Sequence, residues 1–231
     1  MSRPLLALLL VASLVHAEDA AAQLEKGTPE EQRSAMRTLA DQGARDAGPA
    51  IARIAEAPGT DLLTRQMAVS CLASLRDRAS IPTLLRLLKP DLEPDLTFRG
   101  YVADQLAAWT HQCIPFLAYD PQSDPPEAKK LEESSVNGWA TWWLQDREKT
   151  DAQWIERGIS RALELLKSPD ESIRAFAIQH LKTQTDLDFD YDPQGDPAAL
   201  GKSIEQWDRW WTENRSRVRW DAAAGHLVIG G

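Results

Sequence analysis

Residues 165–181 have the sequence LLKSPDESIRAFAIQHL. Within it, Pro169 is typical of a helix end and Asp170 of the cap of the helix that follows. Counted from Arg174, apolar residues follow at +3, +4 and +7: Ala177, Ile178 and Leu181. These offsets place all three side chains on one face of a helix. The segment therefore predicts two helices joined by a short link, the second with one buried face.

The same spacing recurs elsewhere in the chain. Apolar residues occupy the three offsets after Arg65 (Ala68, Val69, Leu72), after Arg99 (Val102, Ala103, Leu106) and, more weakly, after Gln32 (Ala35, Met36, Leu39). Candidate partner helices lie between these copies, at residues 50–54, 81–88 and 154–166. The four starting positions are 33, 34 and 75 residues apart. Periods in the thirties with paired helices are typical of an α-solenoid.

The stretch 165–181, with its Arg followed by Ala and Leu, resembles the repeat consensus of HEAT-like proteins. The resemblance is good over residues 60–106 and 154–182 and loose over 25–56. It implies an all-α superhelix of antiparallel helix pairs and, commonly in that family, a binding role. It implies no active site here.

The gap between the last two copies contains the first member of a second duplication, and the other member follows the last copy. YDPQSDP at 119–125 corresponds to YDPQGDP at 191–197, and the Trp-x-x-Trp-Trp pattern at 139–143 recurs at 207–211. Asp124 and Asp196 are candidate helix caps because a helix-starting Pro follows each. Trp at i, i+3 and i+4 forms an apolar stripe, which favours a place in the core. The alternative is an exposed aromatic platform for sugars or a peptide.

Four carboxylates alternate along the segment before the second module: Asp186, Asp188, Asp190 and Asp192. Calcium loops use oxygen ligands at this spacing. An EF-hand loop also needs Gly at position 6 and Glu at position 12, where this chain has Tyr191 and Pro197. Two interpretations stay open, a weak calcium or small-ligand site in the loop 186–196 and an ordinary acidic turn.

The sequence favours no catalytic chemistry. It contains none of the common nucleophile, zinc or phosphate-binding motifs, and the Cys residues number two, Cys71 and Cys113. Spacing leaves open whether these two form a disulfide. His111 near Cys113 is a conceivable Cys/His pair without an identifiable third group. We expect inert thiols and no enzyme.

Both ends of the chain differ in character from its middle. Residues 1–17 combine Arg3, an apolar run and a small-residue cleavage pattern, which predicts a signal peptide and an exported, periplasmic or extracellular protein. Residues 216–231 alternate polar and apolar positions around a turn, which predicts a β-hairpin covering the final helix pair.

The remaining chain, 18–215, forms the HEAT-like helical repeat domain in this interpretation. The formal charge of the whole sequence, −9, argues against general attraction to nucleic acid or anionic lipid. No long apolar run follows residue 17, so we expect no membrane insertion. The sequence thus predicts a noncatalytic scaffold for a protein or peptide partner, with no resident cofactor. The alternative is a calcium- or small-ligand-binding accessory that uses the loop 186–196.

Overall fold

The structure is a computed structural model that describes residues 20–230. The predicted signal peptide, residues 1–17, lies outside this range. The described chain is mostly helical and ends in a small antiparallel hairpin, which confirms the all-α class with a C-terminal β-hairpin. Within the described residues, no helix is long and apolar enough to cross a bilayer.

The chain divides into two compact units. The described part of the first comprises residues 20–109 and Ala118–Lys129, and the second comprises Thr110–Leu117 and Lys130 onward. The helices found mainly in the first unit are α1 (residues 20–26), α2 (Pro29–Asp41), α3 (Gly48–Glu56), α4 (Leu62–Leu75), α5 (Ile81–Arg86) and α6 (Leu96–Thr110). The second contains almost all of α7 (Ala128–Asp146), then α8 (Asp151–Leu165), α9 (Glu171–Thr185), α10 (Pro197–Asn214), β1 (Val218–Asp221) and β2 (His226–Ile229).

The apolar residues at the repeated offsets are buried in all four copies. Ala68, Val69 and Leu72 of α4, for example, are fully inaccessible to solvent. In the first unit α4 packs against α2 and α3, and in the second α8 packs against α9 and α10. The predicted partner helices form as α3, α5 and α8.

Two of the arginines that precede these buried faces, Arg99 and Arg174, have the same structural role. Arg99 Nη1 donates to the backbone oxygen of Glu93 at 3.1 Å, and Arg174 Nη1 donates to that of Ser168 at 2.9 Å. In both cases the acceptor lies six residues earlier, in the link before the helix. Arg65 differs, because it is buried against the Glu93 carboxylate and the face of Phe98. Arg99 and Arg174 thus hold the preceding links to the first turns of α6 and α9.

The two duplicated turns begin their helices differently. Asp196 accepts hydrogen bonds from the backbone of Ala198 and Ala199 and caps α10 as predicted. The capping prediction for Asp124 is wrong, since this side chain instead accepts from the backbone of Asp120 at 2.9 Å. Two prolines, 125 and 126, follow Asp124, so one of the backbone donors that a cap would normally engage is absent.

The hairpin is a structural part of the second unit. Val218 pairs with Ile229 and Asp221 with His226, and the buried Val218 and Leu227 side chains join the core formed by the helices. β1 contacts α8 and β2 contacts α9. The hairpin therefore packs on α8 and α9, and its buried residues share a core with Trp207 and Trp211 of α10.

Candidate functional site

A cleft of about 720 Å³ lies in the second unit. We call it the α8 cleft, and its walls come from α7, from α8 and from the segment 112–115. Most of the residues that line the cleft are polar, and each of the two helices contributes its residues from one face. The volume of the cleft exceeds those of two other depressions in the described chain, of about 250 and 300 Å³.

The α7 wall consists of five residues at helical offsets 0, 3, 4, 7 and 8: Ser134, Asn137, Gly138, Thr141 and Trp142. Ser134, Asn137 and Thr141 are exposed, and their side chains make no hydrogen bond among residues 20–230. Gly138 faces Ile114, and a Cβ there would lie 3.4 Å from the Ile114 Cγ2 atom. Ser134, Asn137 and Thr141 therefore occupy little of the cleft, and their hydrogen-bond donors and acceptors are not engaged within the described chain.

The α8 wall is charged. Arg157 is fixed, because its Nη1 donates to Asp146 at 2.7 Å and its Nη2 to Gln145 at 3.0 Å. The Asp146 side chain is fully buried, so this pair anchors α8 to the end of α7. Arg161 lies one turn further along and donates to Glu164 at 3.1 Å.

Buried hydrogen bonds and one glycine hold the floor of the cleft in place. Gln112 Nε2 donates to the backbone oxygens of Thr110 and Trp154, each at 2.9 Å. His111 is buried, and its backbone is in the left-handed conformation with a φ of 63°. Its Nδ1 atom lies 2.7 Å from Gln184 Oε1. Helix α8 can approach this segment because Gly158 lacks a side chain. A Cβ at Gly158 would stand 1.7 Å from the His111 backbone oxygen.

Trp142 connects the cleft to the aromatic core. Its ring packs 5.7 Å from the ring of Trp139 and 5.2 Å from that of Trp154, measured between centroids. It is 2% exposed, and its indole Nε1 is buried without a hydrogen-bond partner in the described chain. A buried N–H with no acceptor is costly, and the indoles of Trp139 and Trp207 share this feature in the described chain.

A shallower depression of about 300 Å³ adjoins the cleft, since Arg157 and Ser160 line both. Its other residues are Lys149, Gln153 and Glu156. From Gln153 to Glu164, the α8 positions that line the two cavities form one continuous face. At 1.5 Å per residue this face is about 16 Å long, the length of about five residues of extended chain.

The two thiols, Cys71 and Cys113, are buried and protonated. Burial raises the pKa of Cys113, which lines the α8 cleft, to about 12, although the charge of Arg161 opposes this. Burial raises the pKa of Cys71 to about 12 as well, and both thiols are free. Protonated, buried thiols are poor nucleophiles.

The structure does not gather the four aspartates of the predicted calcium loop. Asp188 pairs with Lys182 at 2.7 Å, and this bond holds the pKa of Asp188 below its usual value. Asp192 accepts from the backbone of Gln194, whereas Asp186 and Asp190 occupy left-handed backbone positions. Across residues 20–230, no three His, Cys, Asp or Glu side chains come together as a possible metal site.

The Trp triplets occupy the core, as their spacing favours. Trp139 and Trp142 are buried and Trp143 is half-buried, while in the second copy Trp207 and Trp211 are buried and Trp210 is half-buried. The triplets therefore supply no exposed aromatic platform, and Trp142 alone among them lines the α8 cleft.

Comparison of the chain with protein-family models, with curated proteins and with solved structures gives no match. The site therefore rests on its geometry. The α8 cleft does not follow from apolar periodicity, because most of its lining residues are polar and the periodicity identifies only the buried faces of the helices. A signal was present in the small residues Ser134, Gly138 and Thr141, which share one face of α7.

Proposed function

We propose that the protein is a noncatalytic binding protein that holds an extended polypeptide segment in the α8 cleft. The continuous lining from Gln153 to Glu164 carries this proposal, because its length suits several residues of extended chain. The sequence predicted a scaffold for a protein or peptide partner without assigning its binding surface, whereas the surface proposed here is one face of α8 together with the walls of the cleft.

The chemistry of the walls supports a peptide. An extended backbone presents N–H and C=O groups in alternation, and it binds where side chains offer both donors and acceptors. Asn137, Ser134 and Thr141 offer both and are not engaged within the described chain. Ile114 and Pro115 add apolar surface for side chains of the ligand. A buried, protonated Cys113 makes nucleophilic catalysis a poor use of the same cleft.

Selection from a displayed library of random linear decapeptides tests the proposal. Thr141→Trp fills the cleft from an exposed position that makes no hydrogen bond in the described chain. Gln206→Trp is the matched control, because Gln206 is exposed on α10 and lines neither the cleft nor the depression. We expect peptides that bind the native protein and Gln206→Trp equally and Thr141→Trp at least tenfold more weakly, equivalent to about 1.4 kcal/mol. Recovery of no peptides, or of peptides that bind all three proteins equally, contradicts the proposal.

A further inference from the structure

The two arginines of the α8 cleft are not equivalent. Arg157 donates from both terminal nitrogens, and the fully buried Asp146 carboxylate neutralises its charge. Withdrawing Arg157 would leave that buried carboxylate with Lys149 as its one remaining cation in the described chain, which is unfavourable. Arg157 is therefore a fixed part of the wall.

Arg161 is an exchangeable cation. Its single hydrogen bond among residues 20–230 goes to Glu164, three residues along the same helix. Both side chains are more than half exposed, at 55% and 68%. An exposed pair of this kind is weak and screened by salt, so an incoming carboxylate can replace it with little penalty.

From this difference, and resting on the peptide-binding function proposed above, we propose that the α8 cleft selects an extended segment with an Asp or Glu side chain. That carboxylate binds Arg161 and displaces Glu164. Glu164 thus acts as a built-in competitor that occupies Arg161 while the cleft is empty.

Charge and geometry favour an internal acidic side chain as the source of the carboxylate. The lining continues past Arg161 in both directions, to Glu164 and through Ser160 to Gln153, so the ligand need not end there. Lys149 in the adjoining depression pairs with Asp146, and the acidic Glu156 lines the same depression, so Arg161 is the cation that a carboxylate can bind without disturbing a buried pair. The bidentate geometry of a guanidinium matches a carboxylate better than it matches a neutral amide.

A double-mutant cycle tests this assignment with decapeptides from the selection, acetylated and amidated so that the side chains supply the only carboxylates. Each peptide is compared with its counterpart in which Gln replaces the acidic residue. We expect Arg161→Gln to weaken binding of the acidic peptide about tenfold and of the neutral counterpart hardly at all. Glu164→Gln should strengthen binding of the acidic peptide about threefold, because the competitor loses its charge.

The controls are Arg209→Gln and Glu205→Gln, exposed residues of α10 that make the same charge changes away from the cleft. Neither substitution should change the affinity for the acidic peptide beyond the long-range effect of the altered net charge, and added salt should screen that effect. Circular dichroism of each variant establishes that it is folded.

The outcomes separate the two proposals. Two results would overturn the assignment of Arg161. One is a selection that yields only peptides without acidic residues. The other is that Arg161→Gln weakens binding of the acidic peptide and of its neutral counterpart equally. If Thr141→Trp still abolishes their binding, peptide binding in the cleft stands. Unaltered affinity in Glu164→Gln overturns the competitor role of Glu164. A selection that yields no peptides overturns both proposals.

Discussion

At the scale of single residues, Gly158 determines whether the floor of the α8 cleft can form. The backbone of α8 passes so close to His111 that any Cβ at position 158 overlaps the carbonyl group. His111 is itself fully buried and has a positive φ, so it has little freedom to move away. One absent side chain thus sets the position of the segment 112–115 against the helix.

We expect Gly158→Ala to lower the free energy of unfolding by about 3 kcal/mol or more, because the added methyl group requires a backbone shift. Gly201→Ala is the control. Gly201 is also helical, a Cβ there meets no atom within 4 Å, and Ala should stabilise α10 by about 0.5–1 kcal/mol. Urea unfolding monitored by circular dichroism measures both. Equal stability of the two variants would contradict the close packing at Gly158.

His180 links stability to pH. Burial lowers the pKa of its imidazole from 6.5 to about 4, against an opposing hydrogen bond to the His111 backbone oxygen. The folded protein keeps this imidazole neutral, whereas the unfolded chain binds a proton below about pH 6.5. The contribution is therefore complete above that pH and is lost as the pH falls towards 4, by about 3 kcal/mol in total.

The variant His180→Gln isolates this effect, since Gln retains an N–H donor but does not titrate. Its stability relative to the native protein should rise by about 3 kcal/mol between pH 6.5 and pH 4. Urea unfolding at half-unit pH steps gives both curves. Parallel curves over that interval would mean that His180 titrates alike in both states.

At the scale of the elements, each Trp triplet anchors its helix through its first member. Trp207 of α10 is fully buried and packs edge-on against Phe189 at 4.7 Å and Trp210 at 5.8 Å. Trp139 is likewise fully buried in α7. The remaining members of each triplet have unequal exposure, so their contributions should differ.

Trp207→Ala should cost about 3–5 kcal/mol, since it removes a large side chain from a closed core. Trp210→Ala is the comparison within the same helix, and we expect it to cost less than half as much because Trp210 is partly solvent-exposed. The free energies of unfolding in urea decide the order. A larger loss in Trp210→Ala would contradict the burial that assigns Trp207 as the anchor.

The loop after α9 gives a prediction about calcium. Asp188 is engaged by Lys182, and the neighbouring carboxylates are dispersed. We therefore expect millimolar calcium and EDTA to leave the melting temperature of the native protein unchanged. A calcium-dependent rise that disappears in Asp188→Asn with Asp190→Asn would instead support the binding loop considered from sequence.

Apolar periodicity predicted the elements well and the polar site poorly. The offsets after Arg65, Arg99 and Arg174 identified faces that are buried, because a helix buries what recurs every three or four residues. The prediction that Asp124 caps a helix was wrong because a second proline, Pro126, follows it and lacks a backbone N–H donor. The fixed role of Arg157 was not predictable, since it depends on Asp146, eleven residues earlier on another helix.

At the scale of the whole molecule, the candidate site belongs to one unit. Every residue of the α8 cleft lies in the second unit, including the segment 112–115 that precedes α7 in the chain. The first unit contributes a separate core around α4 and a smaller depression of about 250 Å³. The solenoid arrangement implied by the resemblance to HEAT-like proteins stays a prediction.

Photo-cross-linking shows whether a bound peptide lies along α8 in this cleft. A selected decapeptide carries one benzophenone side chain, and mass spectrometry locates its attachment to the protein. We predict attachment within residues 134–142 and 153–164, and its loss in Thr141→Trp but not in Gln206→Trp. Attachment to the loop 186–196, to the first unit, or to all three proteins alike would contradict the account.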